Sequence, residues 1–146
     1  MADAVTSQTL FDNERTAIMK FTNISDGTGE SAVLKVDVSA LTPSASGQTC
    51  TRVTVTKIYI ANHGMEVRMF FDATTDVPFF LSSSGATQTL DMTGFGGITN
   101  NGGVGVNGDI MFSTADASSG DTYWCILEMT KGYNSPCQAN HLLNTD

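Results

Sequence analysis

Apolar and polar side chains alternate with a period of two through most of this chain. The alternation is fullest in the late stretch Gly120-Asp121-Thr122-Tyr123-Trp124-Cys125-Ile126-Leu127-Glu128-Met129-Thr130-Lys131. Extended backbone sends successive side chains to opposite faces, so Tyr123, Cys125, Leu127 and Met129 share one face and Trp124, Ile126 and Glu128 the other. Both faces are apolar over most of their length. That predicts a strand in the middle of a sheet, one face on a sandwich core and the other under a loop or a neighbouring subunit.

The rest of the chain reads the same way. Residues 16–22 alternate with Ala17, Met19 and Phe21 on one side. Turn formers at 25–30 lead into 32–38, where Leu34, Val36 and Val38 point one way and Lys35 and Asp37 the other. Beyond the loop of Pro43 and Gly47, residues 52–60 are almost all β-branched or aromatic. Their outward set, Arg52, Thr54, Thr56, Ile58 and Ile60, is only half polar. The short link Asn62-His63-Gly64 predicts a hairpin into 66–71. Residues 77–81 form a short strand that Pro78 confines to an edge or a strand start, and 87–92 and 109–113 are further short strands. Between them, 94–108 is dense in glycine and costly to order, with Phe95, Ile98, Val104 and Val106 as its apolar anchors.

No segment carries the 3.6-residue apolar stripe of a helix. About eight short strands separated by Gly, Ser, Asn and Asp turns predict an all-β fold, a jelly-roll-like or Greek-key antiparallel β-sandwich. The organisation expected is an N-terminal arm (1–14), polar and featureless before Phe11, a β-sandwich domain (15–131) and a C-terminal extension (132–146).

Composition narrows the partners. A chain of 146 residues is long enough to bury a core without metals or disulfides. Charged residues are 15% of it, well below the usual ~25%, so small polar side chains or other protein must cover the surface. Fifteen acids against seven bases, a net charge of -8, argue against nucleic acid, whose affinity comes from clustered Lys and Arg. No uncharged apolar run approaches the ~20 residues of a membrane span. The first residues lack the basic and apolar regions of a secretion signal, which predicts synthesis in a reducing cytoplasm. Cys50, Cys125 and Cys137, an odd set without CxxC spacing, are expected as free thiols behaving as small hydrophobes.

Catalytic constellations are hard to compose from these residues. His63 falls in a turn and His141 in the tail, so neither a His-rich metal site nor a Ser-His-Asp set assembles. Gly94-Phe95-Gly96-Gly97 lacks the helix and lysine of a phosphate loop. The acids Asp26 and Glu30, Asp72 and Asp76, Asp116 and Asp121 flank turns, where Asx hydrogen bonds account for them, a weak Ca²⁺ site at one of them staying open. No catalytic residue, cofactor or metal is expected. What remains is surplus apolar surface, and Phe70, Trp124, Ile58 and Phe95 are the candidate interface residues, since interfaces are rich in aromatics and poor in charge.

Several blocks occur in one order: Lys20-Phe21-Thr22-Asn23-Ile24-Ser25-Asp26-Gly27-Thr28-Gly29-Glu30 with Lys35-Val36-Asp37-Val38, then Asp72-Ala73-Thr74-Thr75-Asp76, Gly94-Phe95-Gly96-Gly97-Ile98, Gly108-Asp109-Ile110-Met111-Phe112, and Gly120-Asp121-Thr122-Tyr123 with Leu127-Glu128-Met129. Together they resemble, over most of 15–131, a group of small tailed-phage virion structural proteins. The resemblance implies a capsid decoration (cement) protein or another small virion component with an all-β fold and no catalytic residues. It further implies self-assembly as a homotrimer, the phage major capsid protein as partner, and a place in the virion after synthesis in the host cytoplasm. N-terminal arms in such proteins reach neighbours. The tail 132–146 carries no family pattern. Two alternatives stay open: a glycan-binding module of a phage tail or fibre, and a head-tail connector or tail-tube component.

Overall fold

Nine strands realise this alternation in the computed structural model, which describes residues 3–85, 87–102 and 107–133. They are β1 (Ala4–Asp12), β2 (Thr16–Asp26), β3 (Val33–Val36), β4 (Cys50–His63), β5 (Glu66–Phe71), β6 (Val77–Leu81), β7 (Thr87–Asp91), β8 (Ile110–Ala115) and β9 (Ser119–Tyr133). All pair antiparallel, in a five-stranded sheet ordered β1-β2-β9-β4-β7 and a four-stranded sheet ordered β3-β8-β5-β6. With β1 set aside, the order 2-9-4-7 over 3-8-5-6 is that of an eight-stranded jelly roll built from two Greek keys. The expected all-β sandwich is present, and β9 lies at the centre of its sheet, where its two apolar faces put it.

The core fills the space between the sheets. Phe21 of β2, Val55, Ile58 and Ile60 of β4, and Tyr123, Cys125, Leu127 and Met129 of β9 meet Val36, Val67, Met69, Phe71, Ile110 and Phe112 from the smaller sheet. Phe112 presents its ring edge-on to Phe21 at 5.2 Å and lies 5.9 Å from Tyr123. Each such side chain contributes roughly 1.5–3 kcal/mol by leaving water.

Bulges overturn two local readings. In β4 the pairing with β9 slips between Val55 and Lys57, leaving Thr56 as an extra, buried residue whose hydroxyl donates to the Glu128 carbonyl at 2.9 Å. One inserted residue resets the alternation. Val53 and Val55 before it and Ile58 and Ile60 after it therefore all enter the core, and Ile58, expected at an interface, is 0% exposed. In β3 a slip between Leu34 and Val36 leaves Leu34 exposed and turns Lys35 inward, the reverse of the expected pattern.

The predicted hairpin at Asn62-His63-Gly64 is a crossing between sheets. Both edges of β4 are already occupied, by β9 and β7, so β5 joins the other sheet. Asn62 holds the crossing by donating to the carbonyls of Met65 (2.7 Å) and Ser83 (2.6 Å). Gly64 has a φ of 86°, and a Cβ there would collide with the Asp121 carboxylate.

Strand bounds differ at both ends as well. Residues expected as a featureless arm form β1, and β9 continues to Tyr133. Ile98 anchors the glycine-rich segment by exchanging backbone bonds with Val55 at 3.0 and 2.9 Å. Phe95 is 71% exposed and anchors nothing. Val104, Val106, Cys137, His141 and most of the predicted C-terminal extension lie outside the described residues.

Candidate functional site

Burial of Phe21, Cys125 and Ile60 between the sheets sends their chain neighbours to the opposite, outer face of the five-stranded sheet. Strand register then builds that face row by row. Thr6, Thr22, Trp124, Ala61 and Thr87 cross all five strands in one row. Gln8, Lys20, Ile126, Tyr59 and Thr89 form the next, and Phe11, Ile18, Glu128, Lys57 and Asp91 the one beyond. On the other side of Trp124 run Ala4, Ile24, Thr122 and His63. A bulge in β1 between Thr9 and Phe11 turns Phe11 onto this face.

The face is apolar at its centre and nearly neutral. Trp124 is 41% and Ile24 60% exposed, while Ile18, Tyr59 and Ile126 are half-buried. Although the chain carries fifteen acids, this face holds only Glu128 and Asp91 among its described residues, with Lys57 directly between them and Lys20 nearby. Bonds from the Thr93 hydroxyl and backbone N–H hold the Asp91 carboxyl below its ordinary value.

The four residues singled out from the sequence do not converge. Trp124 sits on this face. Phe70 lies on the outer side of the other sheet, half-buried beside Met111 and near the Arg68–Glu66 pair (3.2 Å). Phe95 projects from a short 3-10 turn, and Ile58 is core. The structure adds Ile24, Phe11 and Tyr59. Ile24 was readable, since it shares parity with Thr22, opposite Phe21. Phe11 was not, because a bulge leaves no mark in the alternation.

Two buried polar clusters fasten the edge of this face. At one end the Glu30 carboxylate pairs with the Lys35 ammonium at 2.6 Å, both side chains almost wholly buried. The Tyr123 hydroxyl donates to Glu30 Oε1 at 2.6 Å, and the Asn23 amide donates to the same oxygen and to Asp3 Oδ2, each at 3.0 Å. Burial, together with the bond to Glu30, pushes the Tyr123 phenol far up, so it stays protonated. Asp3 Oδ1 accepts from the Ser25 hydroxyl and from the N–H groups of Asp26 and Gly29. At the other end the buried Lys131 ammonium donates to Asp12, to the Asn13 carbonyl at 2.6 Å and to the Thr42 carbonyl at 2.9 Å.

β1 is thus pegged at both ends by a carboxylate. For Asp3 and Asp12 alike, burial raises the pKa, but the donated bonds outweigh it, from Asn23, Gly29, Asp26 and Ser25 in one case and from Lys131 and Thr42 in the other. Both carboxyls end below the ordinary 3.8. Protons therefore bind these groups more tightly once β1 is released. Their contribution is complete above about pH 4 and is lost as pH falls through the lower native values. Hydrogen exchange monitored by mass spectrometry should show β1 amides losing protection on acidification before those of β9. Simultaneous loss in both strands would mean that the two carboxylates do not hold β1.

Elsewhere the polar groups close turns. Asp26, Asp76 and Asp121 accept backbone N–H groups of Thr28, Ala73 and Ser118 at 3.0, 3.2 and 2.8 Å. An open cleft of about 450 Å³ beside Lys131 is lined by Glu14, Arg15, Ser44, Gln48, Arg52 and Tyr133, among others. Cys50 and Cys125 are buried free thiols whose pKa values burial raises. Among the described residues, no group of three or more His, Cys, Asp and Glu is placed to hold a metal ion. Neither a protein family nor a curated protein matches the chain.

Proposed function

We propose that this chain is a non-enzymatic structural subunit of a phage virion, a decoration protein that associates with copies of itself and coats the outer surface of the head. One observation carries the reading: a broad, nearly neutral sheet face with Trp124, Ile24 and Phe11 exposed on a molecule whose charge is otherwise strongly negative. Apolar area of that kind marks a surface meant to be covered. Jelly rolls also serve in viral capsids, an analogy of fold alone. The resemblance of the sequence blocks to small tailed-phage virion proteins supplies the setting.

Co-sedimentation with undecorated phage heads tests the reading. The wild-type chain is expected to saturate a fixed number of sites per head. Trp124→Lys with Ile24→Lys should lose roughly tenfold or more in affinity, as truncation at interface centres does, with an unchanged melting curve. Absence of head binding by the wild type, or full binding by the double variant, would sink it.

A second reading has one observation in its favour. Trp124 and Tyr59 are diagonal neighbours on the exposed face, and an aromatic ring beside threonine hydroxyls is a surface on which a sugar ring can stack. Saturable binding to host polysaccharide, abolished by Trp124→Ala, would favour a tail or fibre glycan-binding module over a decoration protein.

A further inference from the structure

β1 has the composition of a strand but not the burial of one. Each residue from Ala4 to Phe11 is exposed and only Asp12 is half-buried, because the smaller sheet ends on β3 and leaves β1 uncovered on both faces. Among the described residues its outer edge is unpaired, since β1 is the last strand of its sheet. Exposed edges are normally blunted by proline, charge or shortness. β1 is nine residues long and contains no proline, Ala4-Val5-Thr6-Ser7-Gln8-Thr9-Leu10-Phe11 carries no charge, and its one charge, Asp12, and its bulge between Thr9 and Phe11 both lie near the C-terminal end.

We propose that the free edge of β1 pairs antiparallel with β1 of a second copy about a twofold axis, joining two five-stranded sheets into one. This rests on the self-association read above and names its contact. Length supports it: among the described strands the other free edges are β7 and β6 with five residues each, β6 carrying Pro78, and β3 with four. Only another β1 matches the full edge, which extends roughly 30 Å at the usual strand rise. Charge supports it too, because copies with a net charge of -8 approach with least repulsion along a segment that has none. A twofold axis normal to the sheet keeps both Trp124 residues on one side of the joined sheet.

The test uses the full chain in a Cys137→Ser background. Ser7→Cys, treated with a short bismaleimide, is expected to form a covalent dimer, because matching β1 end to end centres the pair on Gln8 and sets the two copies of residue 7 diagonally across the strand pair, roughly 7–8 Å apart. Thr89→Cys on β7 is expected to stay uncrosslinked. Ser7→Lys with Thr9→Lys should weaken the dimer roughly tenfold through like charges across the strand pair, measured by sedimentation with the melting curve as a control for folding. Oligomers, trimers included, in which Ser7→Cys does not crosslink overturn the β1 pairing and leave self-association standing. A monomer that still binds heads overturns the pairing and leaves decoration standing. A monomer that binds no heads removes both.

Discussion

Lys35→Met is expected to destabilise the protein by about 3–5 kcal/mol, the cost of removing one partner from a buried ion pair. In the native protein Glu30 is almost wholly buried and its charge is balanced by the Lys35 ammonium at 2.6 Å. The Tyr123 hydroxyl and the Asn23 amide remain as donors in the variant, but neither carries charge. A carboxylate left there would be a buried charge with no counter-charge. Urea denaturation at neutral pH measures the loss. Adding Glu30→Gln to Lys35→Met should recover much of it, because no unpaired charge then remains. A loss below about 1 kcal/mol for the single variant would mean that Glu30 is not held as a buried carboxylate. The pair ties the segment after β2 to β3 and, through Tyr123, to the centre of the opposite sheet.

Phe112→Ala should cost a similar amount, about 3–5 kcal/mol, by opening a cavity where the sheets meet. The ring is fully buried, with Phe21 edge-on at 5.2 Å, Tyr123 at 5.9 Å and the Lys35 ammonium 5.9 Å from its centroid. Denaturant midpoints give the size of the effect. Near-ultraviolet dichroism should also change as the Tyr123 ring loses its neighbour. A cost below about 1 kcal/mol would show that the sheets do not rely on this contact. Because the Lys35 ammonium lies over the Phe112 ring, 5.9 Å from its centroid, the two substitutions are expected to be non-additive, and a double-mutant cycle reads their coupling.

The outer surface was only partly legible from the chain. Trp124 was placed on a second face of β9 by parity alone, and it faces outward with 41% exposure. Phe70 was equally readable but belongs to the other sheet, so the two aromatics never share a surface. Ile58 failed as an interface residue because of Thr56, a threonine that the sequence does not distinguish from Thr54 two residues before it. What singles it out is that β9 pairs past it, and that depends on a strand some seventy residues away. Lys35 misled for the same reason. A lysine in an alternating run reads as solvent-facing until the slip beside Leu34 turns it toward a glutamate from the preceding loop.

Side-chain period, turn chemistry and the scarcity of helix signals are local properties, and they were enough to specify an all-β sandwich, the central place of β9 and the inward set Tyr123, Cys125, Leu127 and Met129. Which edges pair is a competition among strands distant in the chain. Only the folded structure could decide that β4 lies between β9 and β7, that β5 crosses to the other sheet, and that the polar leader becomes β1. The leader needed tertiary context most of all. A strand with no buried face carries no alternation to read, and its place comes from hydrogen bonding along β2 and from two carboxylates, Asp3 and Asp12, whose partners lie elsewhere in the fold.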